Sequence, residues 1–320
     1  GIVNTSNNRK IEKQIIQSML DKIRHRGPDG SDMYIDDVIG FGFNRLSFLD
    51  LSGGMQPLTN EDESVIMVCN GEIFNYKELK DELISKGYIF KTKTDVEVIP
   101  HMYEEYGLDF PKKLNGQFAI ALYDKKMQSV ILVRDHVGIC PLFYTITDGR
   151  VVFASEIKAI LEYPGIERRL NLTAVDQLMN YPGVVSPNTF FKNIFSLKPG
   201  HISYIKQEEN IKDIEYWDIE YSKDEIDLGE EYYIENLREL LKKAISRRLI
   251  ADVPIGFYVS GGLDSSVVAC YIGKYMLNSY YSFSAEMGET DIDESRFPDL
   301  PSLKYTFHLL PLIYICLELT

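Results

Sequence analysis

The chain has 320 residues, and its 34 Lys and Arg against 48 Asp and Glu leave a net charge of −14. That acidity argues against a phosphate-backbone binder and so against a nucleic-acid partner. Hydrophobic residues at 45% and charged residues at 26% exclude a disordered chain, and the length favours two medium domains over one core.

Gly1-Ile2-Val3 reads as a short buried strand. Ile11, Ile15, Ile16, Met19, Leu20 and Ile23 then recur at helical spacing, up to a turn at Arg24–Gly30 where Gly27-Pro28 breaks the helix. Strand-like runs follow at 33–35, 38–43 and 64–69, helical patterns at about 75–86 and 94–106, and strands near 117–123, 129–134, 142–146 and 150–154. Adjacent strands joined by tight turns such as Asp148-Gly149 predict an α+β sandwich of antiparallel sheets, over roughly 1–207. The stretch 206–231 is acidic and Lys-rich and reads as a surface connection. Beyond it come a helix over 231–250, a buried strand over 253–259, a glycine loop, a helix over 263–276 and a strand over 280–285. That order predicts the start of a parallel α/β domain over 208–320. From Phe297 onward the tail has no clear period.

Cys69, Cys140, Cys270 and Cys316 lie far apart, with no CxxC pair and no His at ligand spacing, which argues against a zinc site. No apolar signal core opens the chain, and the greasy stretch 309–317 is too short to cross a bilayer, so a cytoplasmic protein with no membrane partner is expected.

The segment with the most chemistry is Ser260-Gly261-Gly262-Leu263-Asp264-Ser265-Ser266, where a strand hands over to a helix. Two glycines allow a tight turn, and the serine hydroxyls add donors at a helix N-terminus whose dipole favours anions. No Lys follows the glycines, so this is not a P-loop. A bare Ser-Gly-Gly reads first as a turn with an N-cap, whereas the whole heptad between a strand and a helix reads as a phosphate site. Upstream, Asn70-Gly71 reads either as a hairpin turn or as a pair of amide donors aimed at one oxygen. Arg45 offers a planar fork for a carboxylate and Asp95 a charge for an ammonium; taken singly, a surface Arg and a helix N-cap are the blander readings.

Residues 260–266 resemble the SGGxDS pyrophosphate loop of the ATP pyrophosphatases. Arg24–Gly30, Asn44–Ser47, Met55–Leu58, Cys69–Asn75, Thr94–Glu97, Asn115–Ala119 and Arg134-Asp135 resemble the glutaminase domain of class II, N-terminal-nucleophile amidotransferases. Both in one chain resemble glutamine-hydrolysing asparagine synthetase, over about residues 1–296.

The resemblance implies an Ntn-hydrolase sandwich followed by an ATP-pyrophosphatase-type domain, with glutamine, aspartate and ATP as substrates, Mg²⁺ with the nucleotide, and a homodimer. It implies an oxyanion hole at Asn70 and Gly71, and glutamine binding by Arg45, Leu46, Glu72 and Asp95, with the loop at Arg24 and His25 lining the pocket. It implies ATP binding by Val259, Ser260, Gly261, Gly262, Asp264, Ser265, Ser266 and Ala285, with Asp264 near the metal-bound phosphates and Ala285 toward the adenine. The nucleophile it implies is a cysteine immediately before Gly1; Cys69 abuts Asn70 but has no free amine as base and reads as a packing residue. Because 297–320 departs from the family pattern, a synthetase domain carried only in part is expected. Two alternatives stand beside this reading: a related amidotransferase acting on another carboxylate, as in β-lactam closure, and an inactive remnant that binds glutamine or ATP.

Overall fold

The computed structural model describes residues 1–6, 10–221, 226–260, 262–275, 280–285 and 307–312. The chain divides into two compact units, Gly1–Tyr221 and Ser222–Thr320.

In chain order the first unit contains β1 (Ile2–Asn4), α1 (Lys13–Lys22), β2 (Gly30–Ile35), β3 (Ile39–Arg45), β4 (Leu58–Thr59), β5 (Val65–Ile73), α2 (Tyr76–Ser85) and α3 (Val98–Tyr106). It continues with β6 (Gly116–Asp124), β7 (Ser129–Arg134), β8 (Phe143–Thr147), β9 (Arg150–Ala154), α4 (Ile157–Ile160), α5 (Leu172–Asn180), β10 (Ile194–Ser196), β11 (His201–Lys206) and β12 (Lys212–Glu215). The strands form two six-stranded antiparallel sheets, ordered β10-β8-β9-β1-β3-β2 and β12-β11-β7-β6-β5-β4.

The period-2 alternation of each strand sends successive side chains to different layers. Along β6, Ala119, Ala121 and Tyr123 pack with Val3, Phe41 and Phe153 of the other sheet, while Phe118, Ile120 and Leu122 pack with Leu83, Ile99 and Met102 of α2 and α3. Ile2, Val152 and Ala154 turn the opposite way, onto Ile16 and Leu20 of α1 and Ile160 of α4. The unit is therefore an α-β-β-α sandwich. Because both sheets are covered on both faces, their central strands read as near-continuous apolar runs.

Two expectations need correction. The stretch 206–231, read as a surface connection, supplies the edge strand β12, paired with β11 through Tyr204↔Lys212. Asn70-Gly71 is not a hairpin turn: β5 runs through it to Ile73, with Asn70↔Ala119 and Gly71↔Phe118 in register on β6. The polar Asn-Gly pair interrupts the hydrophobic pattern but not the ladder.

The second unit contains α6 (Glu230–Arg248), β13 (Gly256–Tyr258), α7 (Leu263–Tyr275), β14 (Tyr280–Ala285) and β15 (Phe307–Leu312). The three strands form a parallel sheet ordered β13-β14-β15. Ile245 of α6 and Ile272 of α7 form a small buried cluster with Leu249, Ile255, Phe257 and Tyr271. The tail without a clear period thus supplies a strand. A strand in a parallel sheet need not alternate, and its Pro311 fits a strand that, among the described residues, pairs on one side alone. Among the described residues, no helix is long and apolar enough to cross a membrane. Cys69, Cys140 and Cys270 are free thiols, and Cys316 lies outside the described residues.

Candidate active site

A cleft of about 410 Å³ opens in the first unit, and Arg45, Leu46, Asn70, Gly71, Glu72 and Asp95 all line it. Beside it lies a smaller cavity of about 70 Å³ that shares Asn70, Gly42 and Ser155 with the cleft and reaches Gly1.

Asn70 and Gly71 occupy the middle of a strand for a steric reason. Gly71 has φ +146°, and a Cβ there would lie 2.0 Å from the Gln117 carbonyl oxygen on β6, so only glycine fits. On the same strand Cys69 packs toward the helical layer of α2 and α3, and Val68 toward the opposite sheet. Alternation sets Asn70 on the Val68 side. Asn70 Nδ2 is buried and has no hydrogen-bond partner. Leaving a buried donor unmade costs about 1–3 kcal/mol, which points to a task other than stability.

Arg45 ends β3 and is buried, its Nη2 donating to the carbonyls of Leu49 (3.1 Å) and Asp50 (2.6 Å). Asp95 is buried as well, and its Oδ2 accepts from the Ile73 backbone N–H at 2.7 Å, which fastens it to the end of β5. Burial pushes the Asp95 carboxyl above its ordinary value, opposed by the backbone N–H donors of Ile73, Asp95 and Val96 and by the Thr94 hydroxyl. A buried carboxylate held by neutral donors is one that a cation would stabilise further. Leu46 is 59% exposed and forms an apolar rim.

Several residues that hold this arrangement have no role in the sequence reading, although most sit inside its motifs. Gln56 is buried and brackets Cys69, donating from Nε2 to its carbonyl (3.1 Å) and accepting its N–H at Oε1 (2.6 Å). Asp50 joins two cleft loops, accepting from Gly53 N–H (3.1 Å) and Lys93 N–H (2.9 Å). Glu97 shapes the loop before Asp95 by accepting from the Lys91 and Thr92 N–H groups. Asp29 accepts from Ser47 N–H at 2.7 Å, so the Arg24–Gly30 turn packs on the Asn44–Ser47 segment. Arg134 donates to the carbonyls of Cys140, Gly138 and Leu197 and to the Ser196 hydroxyl, while Asp135 accepts from Ile139 and Cys140 N–H; together they form the loop that brings Cys140 into the cleft wall. Of the loop at Arg24 and His25, Arg26 is the residue in the cleft lining; His25 Nε2 instead meets Glu156 Oε1 at 2.8 Å.

Neither cleft thiol is primed for attack. Burial raises the Cys69 thiol well above its ordinary value, and burial together with the Asp135 charge raises Cys140 to about 11. Gly1 exchanges both ladder hydrogen bonds with Phe153, donating at 2.7 Å and accepting at 2.9 Å. Desolvation pushes its amino group down to about 4, so this position suits a neutral nitrogen.

In the second unit the Ser260 and Ser265 hydroxyls lie 3.1 Å apart, and Ser265 Oγ accepts from Ser260 N–H at 3.2 Å. Ser266 N–H donates to the Gly262 carbonyl, and Asp264 stands exposed in the first turn of α7. Val259 is buried, its N–H donating to Phe283 on β14. Gly261 lies outside the described residues, and Ala285 ends β14.

The family of glutamine amidotransferase domains matches residues 1–217, and the asparagine synthase family matches 236–305. The second match thus reaches into the segment where the sequence pattern fades. A glutamine-hydrolysing asparagine synthetase 2 of Bacillus subtilis is 41% identical over 290 residues, covering 86% of this chain and 38% of that protein. The glutamine-hydrolysing asparagine synthetase 3 of the same organism is 36% identical, covering 84% and 45%. An amidase chry2 of Gibberella zeae is 37% identical, covering 80% and 39%. The chain therefore spans less than half the length of these curated relatives. Among solved structures, the allosteric regulatory enzyme of purine biosynthesis aligns over 97% of this chain and 80% of its own, at TM-score 0.51 and 15% identity, a likeness of fold alone.

Proposed function

The chain belongs to the family of glutamine amidotransferase domains and matches asparagine synthase downstream, and from that premise we propose that it is a glutamine-dependent asparagine synthetase. Its first unit hydrolyses glutamine and water to glutamate and ammonia. Its second adenylates aspartate with ATP, releasing pyrophosphate, and ammonia displaces AMP to give asparagine. The location proposed with this reading is cytoplasmic.

The observation that carries the reading is the orphaned Asn70 Nδ2 in a cleft that also presents Arg45 and Asp95. The Arg45 fork pairs with the α-carboxylate of glutamine and Asp95 with its α-ammonium, which fixes the side-chain amide. Leu46 and Glu72 flank it. A cysteine joined to the Gly1 nitrogen attacks the amide carbon, with its own α-amine taking the thiol proton and passing it to the leaving ammonia. Negative charge gathers on the carbonyl oxygen, where Asn70 Nδ2 and the Gly71 N–H donate. Water then cleaves the thioester to glutamate.

For ATP, the exposed hydroxyls of Ser260 and Ser265 at the N-terminus of a 13-residue helix fit phosphate oxygens, with Gly262 and Ser266 beside them and Val259 anchoring the strand end. Mg²⁺ neutralises the phosphates when bound, and Asp264 is the carboxylate that fits it.

A second reading has its own observation: the relatives include a protein named an amidase, so a substrate other than aspartate is the alternative to test. The test is glutamine hydrolysis by the chain carrying a cysteine before Gly1, followed by an ammonia acceptor screen in the full-length protein. Glutamate formation with aspartate as the acceptor supports the proposal; hydrolysis with another acceptor favours the second reading; no hydrolysis overturns both and leaves a binding remnant.

A further inference from the structure

Glu61, His101 and Glu104 bring one ligand atom each within 4.8 Å of one another, and none of the three lines the cleft. His101, on α3, is 1% exposed, yet neither ring nitrogen has a hydrogen-bond partner. Its Nδ1 lies 3.4 Å from Oε2 of Glu61 and 3.4 Å from Oε2 of Glu104. In both carboxylates the other oxygen is already anchored. Glu61 Oε1 accepts from the Ile89 N–H at 2.8 Å, and Glu104 Oε1 accepts from Asn60 Nδ2 at 2.8 Å. Each carboxylate is thus held with Oε2 toward the imidazole. The ring is fixed in turn by Phe90, in a T-shaped contact at 4.7 Å, and by Tyr88 at 5.4 Å.

We propose that Glu61, His101 and Glu104 bind a zinc-class divalent cation through the two Oε2 atoms and Nδ1. Two features point to an ion rather than to a bare ion pair. A buried imidazole with both nitrogens orphaned is costly, and an ion on Nδ1 removes one of the two unmet groups. In addition, ligand atoms around a tetrahedral ion with bonds of about 2.0–2.1 Å stand about 3.3 Å apart, close to the two gaps seen here. One nitrogen and two carboxylate oxygens suit zinc or manganese better than calcium, which prefers an all-oxygen shell. With Nδ1 as ligand the neutral ring carries its proton on Nε2. Both glutamates are partly exposed, giving the ion an entry path and a position for water. The cysteine spacing that argues against a zinc site is no guide here, because this set contains no thiol and joins the turn before β5 to α3. The ion would staple that turn to the helix, independently of the glutaminase reading.

The test is equilibrium dialysis of the chain against zinc chloride, with metal content and thermal unfolding as readouts. The expected result is one zinc per chain, a raised Tm, and at least a tenfold loss of affinity in the Glu61→Gln/Glu104→Gln double variant, which keeps the His101 ring in its packing. His101→Gln should show the same loss, and calcium should not compete. Zinc bound equally by the parent and the double variant, or no zinc retained by the parent, overturns the proposal and leaves an ion-paired triad.

Discussion

The cleft of the first unit and the serine-glycine loop of the second reach their chemistry by opposite routes. In the loop, the bonds among Ser260, Gly262 and Ser265 span only two to five residues, and the motif is its own scaffold. In the cleft, the hydrogen bonds that set Asp95, Asp29 and Asp50 reach 22, 18 and 43 residues along the chain. A local motif announces itself in sequence, whereas a long-range site exists only once two sheets are in register. Substitutions in the cleft should accordingly be more damaging than those in the loop.

The largest effect is expected for Asn70→Ala in the chain carrying a cysteine before Gly1. Removing an oxyanion donor should cost about 100-fold or more in glutaminase kcat, with KM for glutamine nearly unchanged, measured as glutamate formation. Next comes Gly71→Ala, which forces a Cβ against the Gln117 carbonyl at positive φ. It should destabilise the first unit by about 3 kcal/mol, read as a lower urea midpoint.

A smaller effect belongs to Asp95, where Asn should raise KM for glutamine about tenfold through the lost ion pair, with kcat less affected. Its raised pKa also has a consequence with a definite sign. The empty fold holds the Asp95 proton more tightly than the unfolded chain does, so the stability this group adds is complete below its unfolded pKa and is lost as pH rises through the folded one. Glutamine's ammonium reverses the preference, so KM should fall as pH rises through a window above the ordinary carboxylate value, and Asp95→Asn should flatten that profile. The smallest effect should be Ser265→Ala, which breaks partly exposed local bonds. It should weaken ATP binding in a titration while changing Tm by the equivalent of less than about 1 kcal/mol.

What the sequence makes legible follows the same division. The continuous apolar runs of β6 and β7 and the helical spacing of Ile16, Met19 and Leu20 identify the sandwich elements, because burial imposes those patterns directly. The tail strand β15 escapes because a parallel strand shows no alternation, and β12 escapes because an edge strand of Lys, Asp and Glu looks like a solvated linker. In the cleft, Arg45, Asn70 and Asp95 are visible as motif letters. Gln56, Asp50 and Glu97 hold the strand and loops that carry them, but those tasks are invisible until the backbone groups they bind, such as Cys69, Lys93 and Thr92, are placed. Asn70-Gly71 illustrates the ambiguity: the same dipeptide is a strong hairpin signal in isolation and a mid-strand pair once β6 lies beside it.

The most direct test of the central claim is a crystal structure of the chain carrying a cysteine before Gly1, with glutamate bound. The expected result is one γ-carboxylate oxygen about 2.7–3.1 Å from Asn70 Nδ2, the α-carboxylate on Arg45 and the α-ammonium on Asp95. Glutamate bound elsewhere, or Asn70 Nδ2 turned onto a protein acceptor while the cleft is filled, would contradict it.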